Sequence, residues 1–412
     1  MIGNDACPGV LRLHEAADGY LARVRLPGGR IDAPAMHAVA DASELGSGIV
    51  ELTSRAGLQL RGLAGESAER VARILGSGGL LPSPAHDRVR NIAAPPLGGR
   101  AADAVAEIDA VVDQLDQALC ADAGLASLPG RFLFAVDDGS RALDPIVADV
   151  ELAAGRDGFR LCLAGRATRL VVAPADAART GIAAAHAFAE LVAAETPGAW
   201  RVSDLADGSR RLAERLGVGL CDPSTAGPAR PGRMSARLGG QRPGQIAQRD
   251  GRSAVSALPP LARLDPGQLR GLAELLAPAT TARISPWRTL IFVDVPSVTA
   301  PALAGRLAEL GLILSAESGW AGLSACAGLG ACARARVDVR AAAAKRAPRR
   351  GDGAPLEHWS GCERRCGEPP RAGITVVATP DGLVLTQAVG EPRTAASTSA
   401  ALELLRTPAV TA

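Results

Sequence analysis

Four cysteines near the C-terminal end are the residues whose spacing in this sequence most clearly indicates chemistry. Cys326 and Cys332 are separated by five residues, and Cys362 and Cys366 follow about thirty residues later, separated by three. Each pair lies in a glycine-containing stretch, so two loops can bring four thiolates to one centre. In an intracellular protein such a set predicts a metal or iron–sulfur site before it predicts disulfides.

The spacing within the pairs favours an iron–sulfur cluster. Structural zinc usually takes cysteine pairs about two to four residues apart, whereas the first gap here is wider and suits a [4Fe–4S] cube. Zinc and a set of incidental buried thiols stay open as alternatives. The segment from Ala333 to Lys345 predicts a helix whose positive N-terminal end faces the anionic cluster. For the scattered cysteines we expect ordinary free thiols: Cys7, Cys120, Cys162 and Cys221.

Length and charge bound the class of protein. The chain has 412 residues, enough for two or three domains with good cores. Its net charge of +2 and its 2% aromatic residues argue against a nucleic-acid partner. The sequence has neither a signal-peptide pattern at its start nor an apolar run long enough to span a bilayer. We therefore expect a soluble, cytoplasmic protein with no membrane partner.

The chain also contains a faint internal duplication. A strand–helix–strand order, half of a ferredoxin-like unit, is predicted over residues 19–61. A gapless shift of 233 positions superimposes Arg30-Ile-Asp32 on Arg263-Leu-Asp265 and Arg55 on Arg288. This repeat predicts two half-units that pair across a pseudo-twofold axis.

The remaining chain divides around these two copies, giving an α+β protein. We predict a ferredoxin-like half-unit over 1–64, an α/β module over 65–222 and a Pro/Gly/Arg-rich linker over 223–255. A second half-unit over 256–314 and a cluster-binding module over 315–412 follow. No Gly-x-Gly-x-x-Gly opens a helix after a strand, so a dinucleotide domain is not predicted.

These motifs resemble those of the nitrite/sulfite reductase superfamily. The resemblance rests on Cys-x5-Cys followed by Cys-x3-Cys, on the second cysteine loop from His358 to Pro369, on Arg90-Asn91, and on Leu128-Pro-Gly-Arg131-Phe. It implies a [4Fe–4S] cluster on the four cysteines and a duplicated, two-lobed architecture. In the superfamily's sirohaem enzymes the last cysteine, here Cys366, also bridges to the sirohaem iron. One departure is Leu133, where the family's strand carries a second cation.

Arginines at strand ends and turns of the proposed units form a candidate carboxylate cradle. Guanidinium groups bind carboxylates through two parallel hydrogen bonds, and a partly reduced tetrapyrrole has a rim of acetates and propionates. The candidates for binding it are Arg23, Arg25, Arg55, Arg90, Arg131 and Arg288. The alternative, ordinary surface arginines in an arginine-rich chain, stays open for each.

Within the superfamily, the chain most resembles the oxygen-using branch that acts in aerobic cobalamin biosynthesis. The best matches are Ala6-Cys-Pro-Gly9, Arg25-Leu-Pro-Gly-Gly-Arg30, residues 51–62, residues 87–92 and the four cysteines. The resemblance implies a monooxygenase that hydroxylates precorrin-3A at C20, with closure of a γ-lactone. It also implies O2, an external donor such as a ferredoxin or an NAD(P)H-dependent reductase, and a mononuclear non-haem iron whose ligands the sequence does not indicate.

Two other functions stay open from the sequence. A sirohaem-dependent sulfite or nitrite reductase would use the same cluster. A non-catalytic iron–sulfur electron carrier is favoured by Leu133, but a carrier has little need for a duplicated fold of this size.

Overall fold

The computed structural model describes residues 7–144, 146–222, 242–369, 372–388 and 390–405. Within these ranges, numbered in chain order, the strands β1–β20 are His14–Ala16, Gly19–Val24, Arg30–Ile31, Val50–Leu52, Leu58–Leu63, Ile92–Ala93, Phe134–Asp137, Val150–Gly155, Gly158–Leu163, Arg166–Val172, Gly244–Ala247, Ser253–Ala257, Arg263–Leu264, Ala282–Ile284, Leu290–Val295, Leu323–Ala325, Glu357–Ser360, Ile374–Thr379, Gly382–Gln387 and Arg393–Ala395. The α-helices α1–α9 are Ala33–Ser43, Ala68–Ser77, Asp109–Ala121, Pro174–Glu195, Gly208–Arg215, Pro266–Glu274, Ala300–Glu309, Val339–Arg346 and Thr398–Leu404.

Two five-stranded sheets exchange one strand each. The first sheet has the order β1-β2-β5-β4-β13, and the second has the order β11-β12-β15-β14-β3. Thus β13, from the second half of the chain, pairs with β4, while β3 pairs with β14. Each half-unit therefore completes the other's sheet.

The repeated helices start in the same way because the sequence repeats the same cap. Asp32 accepts a hydrogen bond from the Ala35 N–H at the start of α1, and Asp265 accepts one from the Gln268 N–H at the start of α6. These side chains satisfy N–H groups that lack partners within the helix. Helices α1 and α6 pack on each other over one apolar core that both sheets share.

The two larger modules have matching sheets. The sheet order is β10-β9-β8-β7-β6 in the first module and β16-β17-β18-β19-β20 in the second. In each sheet the first two strand pairs along the chain are parallel and the next two are antiparallel. Helices α3, α4 and α5 cover one face of the first sheet, and α8 and α9 cover one face of the second.

The α+β class and the duplicated architecture predicted from the sequence are confirmed. The linker predicted over 223–255 was too long, because β11 and most of β12 lie inside it and pair with each other. Residues 223–241 of that stretch lie outside the described residues, as does Ala6 of the first motif. In the part of the chain that the structure describes, no helix has the length and apolarity needed to cross a membrane.

Candidate cluster and substrate site

Both cysteine loops leave the same edge of the second module's sheet. Cys326 directly follows β16, and Cys362 comes two residues after the end of β17. These strands are parallel neighbours, so their carboxyl ends lie side by side. The Cys326 N–H donates to the Trp359 carbonyl at 3.0 Å, which ties the first loop to β17.

The second loop approaches the first through a glycine. The Gly361 N–H donates to Cys326 Sγ at 3.1 Å. A Cβ at Gly361 would lie 2.7 Å from the Ala335 Cβ, so this approach requires glycine. Backbone N–H groups that point at cysteine sulfur are a common feature of iron–sulfur ligation and tune the potential of the cluster.

The four thiols share one electrostatic environment. Burial raises the pKa of the Cys366 thiol, Arg364 opposes this shift, and the thiols of Cys326, Cys362 and Cys332 add to it. Cys362 is buried and Cys366 is exposed, so the site spans from the module's interior to its surface. The structure thus brings the two pairs into one neighbourhood.

The four thiols are a donor set that an iron–sulfur cluster accepts, since each of four cysteines can bind a separate iron atom of the cluster. The N–H donor at Cys326 Sγ is of the kind that accompanies such ligation. In the described ranges, no three His, Cys, Asp or Glu side chains are arranged around one metal ion.

One local prediction at this site was wrong. The helix expected from Ala333 begins only at Val339, since the intervening residues form turns. Its N-terminus is capped by Asp338, which accepts from the Ala341 N–H at 3.0 Å. The helix end is therefore satisfied by a carboxylate of the chain itself.

The first half-unit presents a polar sheet face to the cysteine module. Arg23, Gln59, Glu51 and Arg263 lie in register across β2, β5, β4 and β13. Because alternate residues of a strand share a face, Arg25 and Arg61 lie on this face too. We call this set the polar face.

Two arginines join the polar face to the cysteine loops. Arg61, nearly fully buried, forms two hydrogen bonds to Asp18 and donates to the Ala331 carbonyl at 2.6 Å. Arg340 donates to the Cys326 carbonyl at 3.1 Å and forms an ion pair with Glu51. The backbone beside Cys332 is thus held directly by the first half-unit, and the backbone at Cys326 is held through Arg340, which Glu51 of that half-unit binds.

Three of the predicted cradle arginines line one small cleft. Arg23, Arg25 and Arg55 surround about 60 Å³ together with Thr53, Ser54 and Gly57. We call this space the arginine cleft. Burial lowers the pKa of Arg55 to about 10, and the charges of Arg25 and Arg201 act in the same direction. Among the described residues, no carboxylate forms an ion pair with any of the three.

The other three predicted arginines do not line the arginine cleft. Arg90 forms two hydrogen bonds to Asp116, at 2.8 and 2.7 Å, and is buried, so its place in the cradle stays a prediction in which a substrate carboxylate would compete with Asp116. Arg131 is exposed and lies 4.2 Å from the centre of the Trp200 ring. Arg288 donates to the Gly367 carbonyl at 3.3 Å, beside the second cysteine loop.

Leu133, His86 and His358 each contact neighbouring residues of the fold. Leu133 is buried among Ala93 and Ala135, so a cation there would lie in an apolar cluster. His86 bonds to Ser83 Oγ and to the Asp122 carbonyl. His358 is bonded to Ser324 Oγ, and burial, with a smaller effect of Arg288, lowers its pKa to about 4.

Several residues of the site had no sequence signal that singled them out. Glu51 and Arg340 come from different modules, and their pairing is visible only in three dimensions. Arg201 was absent from the predicted cradle, although its charge acts on Arg55. Cys7 was expected to be an ordinary thiol, yet its sulfur lies against Arg25.

Comparisons with known proteins agree with this geometry. The family profile described as "Nitrite/Sulfite reductase ferredoxin-like half domain" matches residues 13–78 and again residues 246–310. This chain carries two nitrite/sulfite reductase ferredoxin-like half domains. The first half domain extends beyond the predicted 1–64 and includes α2, and the second begins inside the predicted linker.

Two further similarities, one in sequence and one in fold, extend over most of the chain. The chain is 26% identical over 388 residues to a protein named precorrin-3B synthase from Sinorhizobium sp, which covers 92% of this chain and 81% of the relative. In fold it resembles the NirA protein of Mycobacterium tuberculosis, with a TM-score of 0.71, 20% identity, and coverage of 90% of this chain and 72% of the other. The resemblance to precorrin-3B synthase within the nitrite/sulfite reductase superfamily is therefore confirmed.

Proposed function

We propose that the protein is an iron–sulfur monooxygenase that hydroxylates precorrin-3A at C20 and closes a ring-A acetate into a γ-lactone. The observation that supports this best is the polar face, because its arginines contact the first cysteine loop and also line the arginine cleft. Arg61 on this face contacts the Ala331 carbonyl, and Arg23 and Arg25 on the same face line the cleft. The relative named precorrin-3B synthase supports the choice of substrate.

The four cysteines are the proposed ligands of a [4Fe–4S] cluster. Such a cluster supplies electrons one at a time. Arg61 and Arg340 hold the first cysteine loop through its carbonyls, and Arg288 holds the second through the Gly367 carbonyl. These contacts fix the loops against the two half domains.

The proposed role of the arginines is to bind and orient the substrate. Carboxylates on the tetrapyrrole rim would occupy the arginine cleft, where they would neutralise three cations that have no carboxylate partner among the described residues. Arg131, exposed and stacked on Trp200, is positioned to bind a further carboxylate at the module surface. Binding at several points would orient the macrocycle and so select one edge for reaction.

The proposed reaction needs groups from outside the chain. One oxygen atom of O2 enters the product and the other leaves as water, which consumes two electrons and two protons. The electrons would come from a ferredoxin or an NAD(P)H-dependent reductase. A mononuclear non-haem iron is the second proposed cofactor, and no ligand set for it is formed by the described residues.

The decisive experiment combines composition with turnover. Protein purified without oxygen should contain about four acid-labile sulfide and four cluster iron per chain, with about one further iron where the mononuclear site is filled, and show no porphyrin-type band. With precorrin-3A, a reductant and oxygen-18-labelled O2, it should form a product that carries one labelled oxygen. A strong sirohaem band would instead favour sulfite or nitrite reduction, and zinc without sulfide would overturn the cluster.

A further inference from the structure

Cys7 lies in contact with the arginine cleft. Its Sγ accepts a hydrogen bond from Arg25 Nη2 at 3.5 Å, and Arg23 Nη1 lies 4.0 Å away. The thiol itself donates to the Gly130 carbonyl at 3.4 Å. Arg55 Nη1 donates to the same carbonyl at 3.3 Å, so the sulfur and three guanidinium groups share one small space.

A second observation indicates that this space takes an anion. Arg25 is 8% exposed, and its Nε is buried without a hydrogen-bond partner within the described ranges. Asp87 acts on Arg25 through its charge, but its Oδ2 accepts the N–H groups of Val10 and Leu11. A buried donor without a partner is costly, and a charged ligand with several acceptor oxygens would satisfy it.

We propose that Cys7 is a nucleophilic thiol within a carboxylate-binding cleft, and that it reacts preferentially with electrophiles that carry a carboxylate. The arginines hold the reagent's carboxylate while the sulfur attacks the neighbouring carbon. Cys7 is half-buried, so a small reagent can reach it. Modification at Cys7 and occupation of the cleft by a substrate carboxylate exclude each other.

The reaction with iodoacetate illustrates the chemistry. The Cys7 sulfur forms a bond to the methylene carbon, the carbon–iodine bond breaks, and iodide leaves with the electron pair. The thiol proton passes to solvent. Iodoacetamide reacts by the same steps but has no charge for the arginines to bind, so the pair of reagents isolates the effect of the carboxylate.

The test uses the intact protein with its cofactors, purified without oxygen. Trace iodoacetate or iodoacetamide is added, and peptide mass spectrometry measures the alkylation rate at each cysteine. Cys120 is the internal control, because its sulfur lies 4.0 Å from Asp116 Oδ1, and the nearby guanidinium of Arg90 is already bound to this carboxylate. We expect the iodoacetate-to-iodoacetamide rate ratio to be at least about tenfold higher at Cys7 than at Cys120.

Two variants make the test specific. Arg23→Gln, which changes a half-buried side chain and leaves Arg25 in place, should lower the ratio at Cys7 severalfold. Arg70→Gln, on the exposed side of α2, should leave it unchanged. Excess acetate should slow iodoacetate at Cys7 and not at Cys120. Equal ratios at the two cysteines, or a Cys7 unreactive toward both reagents, would overturn the proposal.

The inference rests on the arginine cleft of the proposed function, but the two can fail separately. If Cys7 shows no preference for iodoacetate over iodoacetamide, the cleft does not bind carboxylates beside Cys7. If Cys7 still prefers iodoacetate but a carboxylated tetrapyrrole does not protect it from alkylation, the cleft binds anions and does not take part in binding the substrate.

Discussion

Glu51 and Arg283 each lie opposite an arginine of an exchanged strand, and they carry opposite charges. Glu51 lies opposite Arg263 of the exchanged strand β13, and Arg283 lies opposite Arg30 of the exchanged strand β3. Glu51 forms an ion pair with Arg340 of the cysteine module, whereas Arg283 forms one with Asp109 of the first α/β module. The duplicated sheets thus bind different modules through opposite charges.

The first prediction concerns the cluster ligands. Cys332→Ser should reduce acid-labile sulfide from about four per chain to near zero, because a cluster that loses one thiolate of a four-thiolate set is poorly retained. The measurement is iron and sulfide analysis of anaerobically purified protein. Cys221→Ser, in the first module and bonded to the Thr168 carbonyl, is the control and should keep its cluster. Full sulfide in the Cys332 variant would remove this residue from the ligand set.

Arg55 should contribute to binding and not to the cluster. Arg55→Leu removes a cation that no carboxylate of the described chain neutralises, so affinity for a carboxylated tetrapyrrole should fall about tenfold or more. Titration followed by absorbance measures this, and the cluster spectrum should be unchanged. Arg70→Leu, an exposed arginine of α2, is the matched control. Unchanged affinity in the Arg55 variant would exclude it from the substrate site.

The contact of Arg61 with the first cysteine loop should contribute to the stability of the protein and to the retention of iron. Arg61→Met keeps the aliphatic stem but leaves Asp18 and the Ala331 carbonyl without their donor. The free energy of unfolding should fall by about 2–3 kcal/mol, and a chelator should remove iron faster than from the original protein. Arg73→Met, exposed on α2, should do neither. If the chelation rate is the same in both variants, the Arg61 contact does not support the loop.

Glu151 should make stability depend on pH. Burial and the nearby charge of Asp137 raise the pKa of this carboxyl from 4.5 to about 7. The folded state therefore binds the proton of Glu151 more tightly than the unfolded chain does. The free-energy cost of ionising Glu151 in the folded protein is absent below about pH 4.5, grows as the pH rises, and is complete above about pH 7. Glu151→Gln should add about 2 kcal/mol of stability at pH 8 and almost none at pH 4.5.

Denaturant unfolding at the two pH values measures this difference. Asp157→Asn, in the exposed turn between β8 and β9, is the control at a solvent-exposed position. A gain for Glu151→Gln that is equal at both pH values would show that the change acts through packing and not through the charge.

Local sequence features predicted the parts of the site that local interactions determine. The spacing of the cysteines placed them in two loops, and the match of Arg30-Ile-Asp32 with Arg263-Leu-Asp265 indicated the duplication. In the structure both aspartates cap a helix, an interaction that needs only the helix's own first turn. The turn of Pro380, Asp381 and Gly382 between β18 and β19 is equally local.

What the sequence could not predict depends on pairing between distant segments. An arginine fork binds a carboxylate of a ligand or of the chain equally well, so the sequence alone does not indicate that Asp116, on α3, binds Arg90 in the folded chain. The exchange of β3 and β13 likewise has no local signature, because a two-residue strand is defined by its partner. The contact of Arg61 with Ala331 spans 270 residues.

The strand exchange also has a consequence for synthesis on the ribosome. β4 is made early, but its partner β13 follows about two hundred residues later. At a translation rate of about 5–20 residues per second, the edge of the first sheet waits on the order of ten to forty seconds for its last strand. During that time β4 presents unpaired backbone groups, a template for wrong pairing. The nascent first half therefore needs protection, by a chaperone or by slow release, that a protein with two self-contained halves would not need.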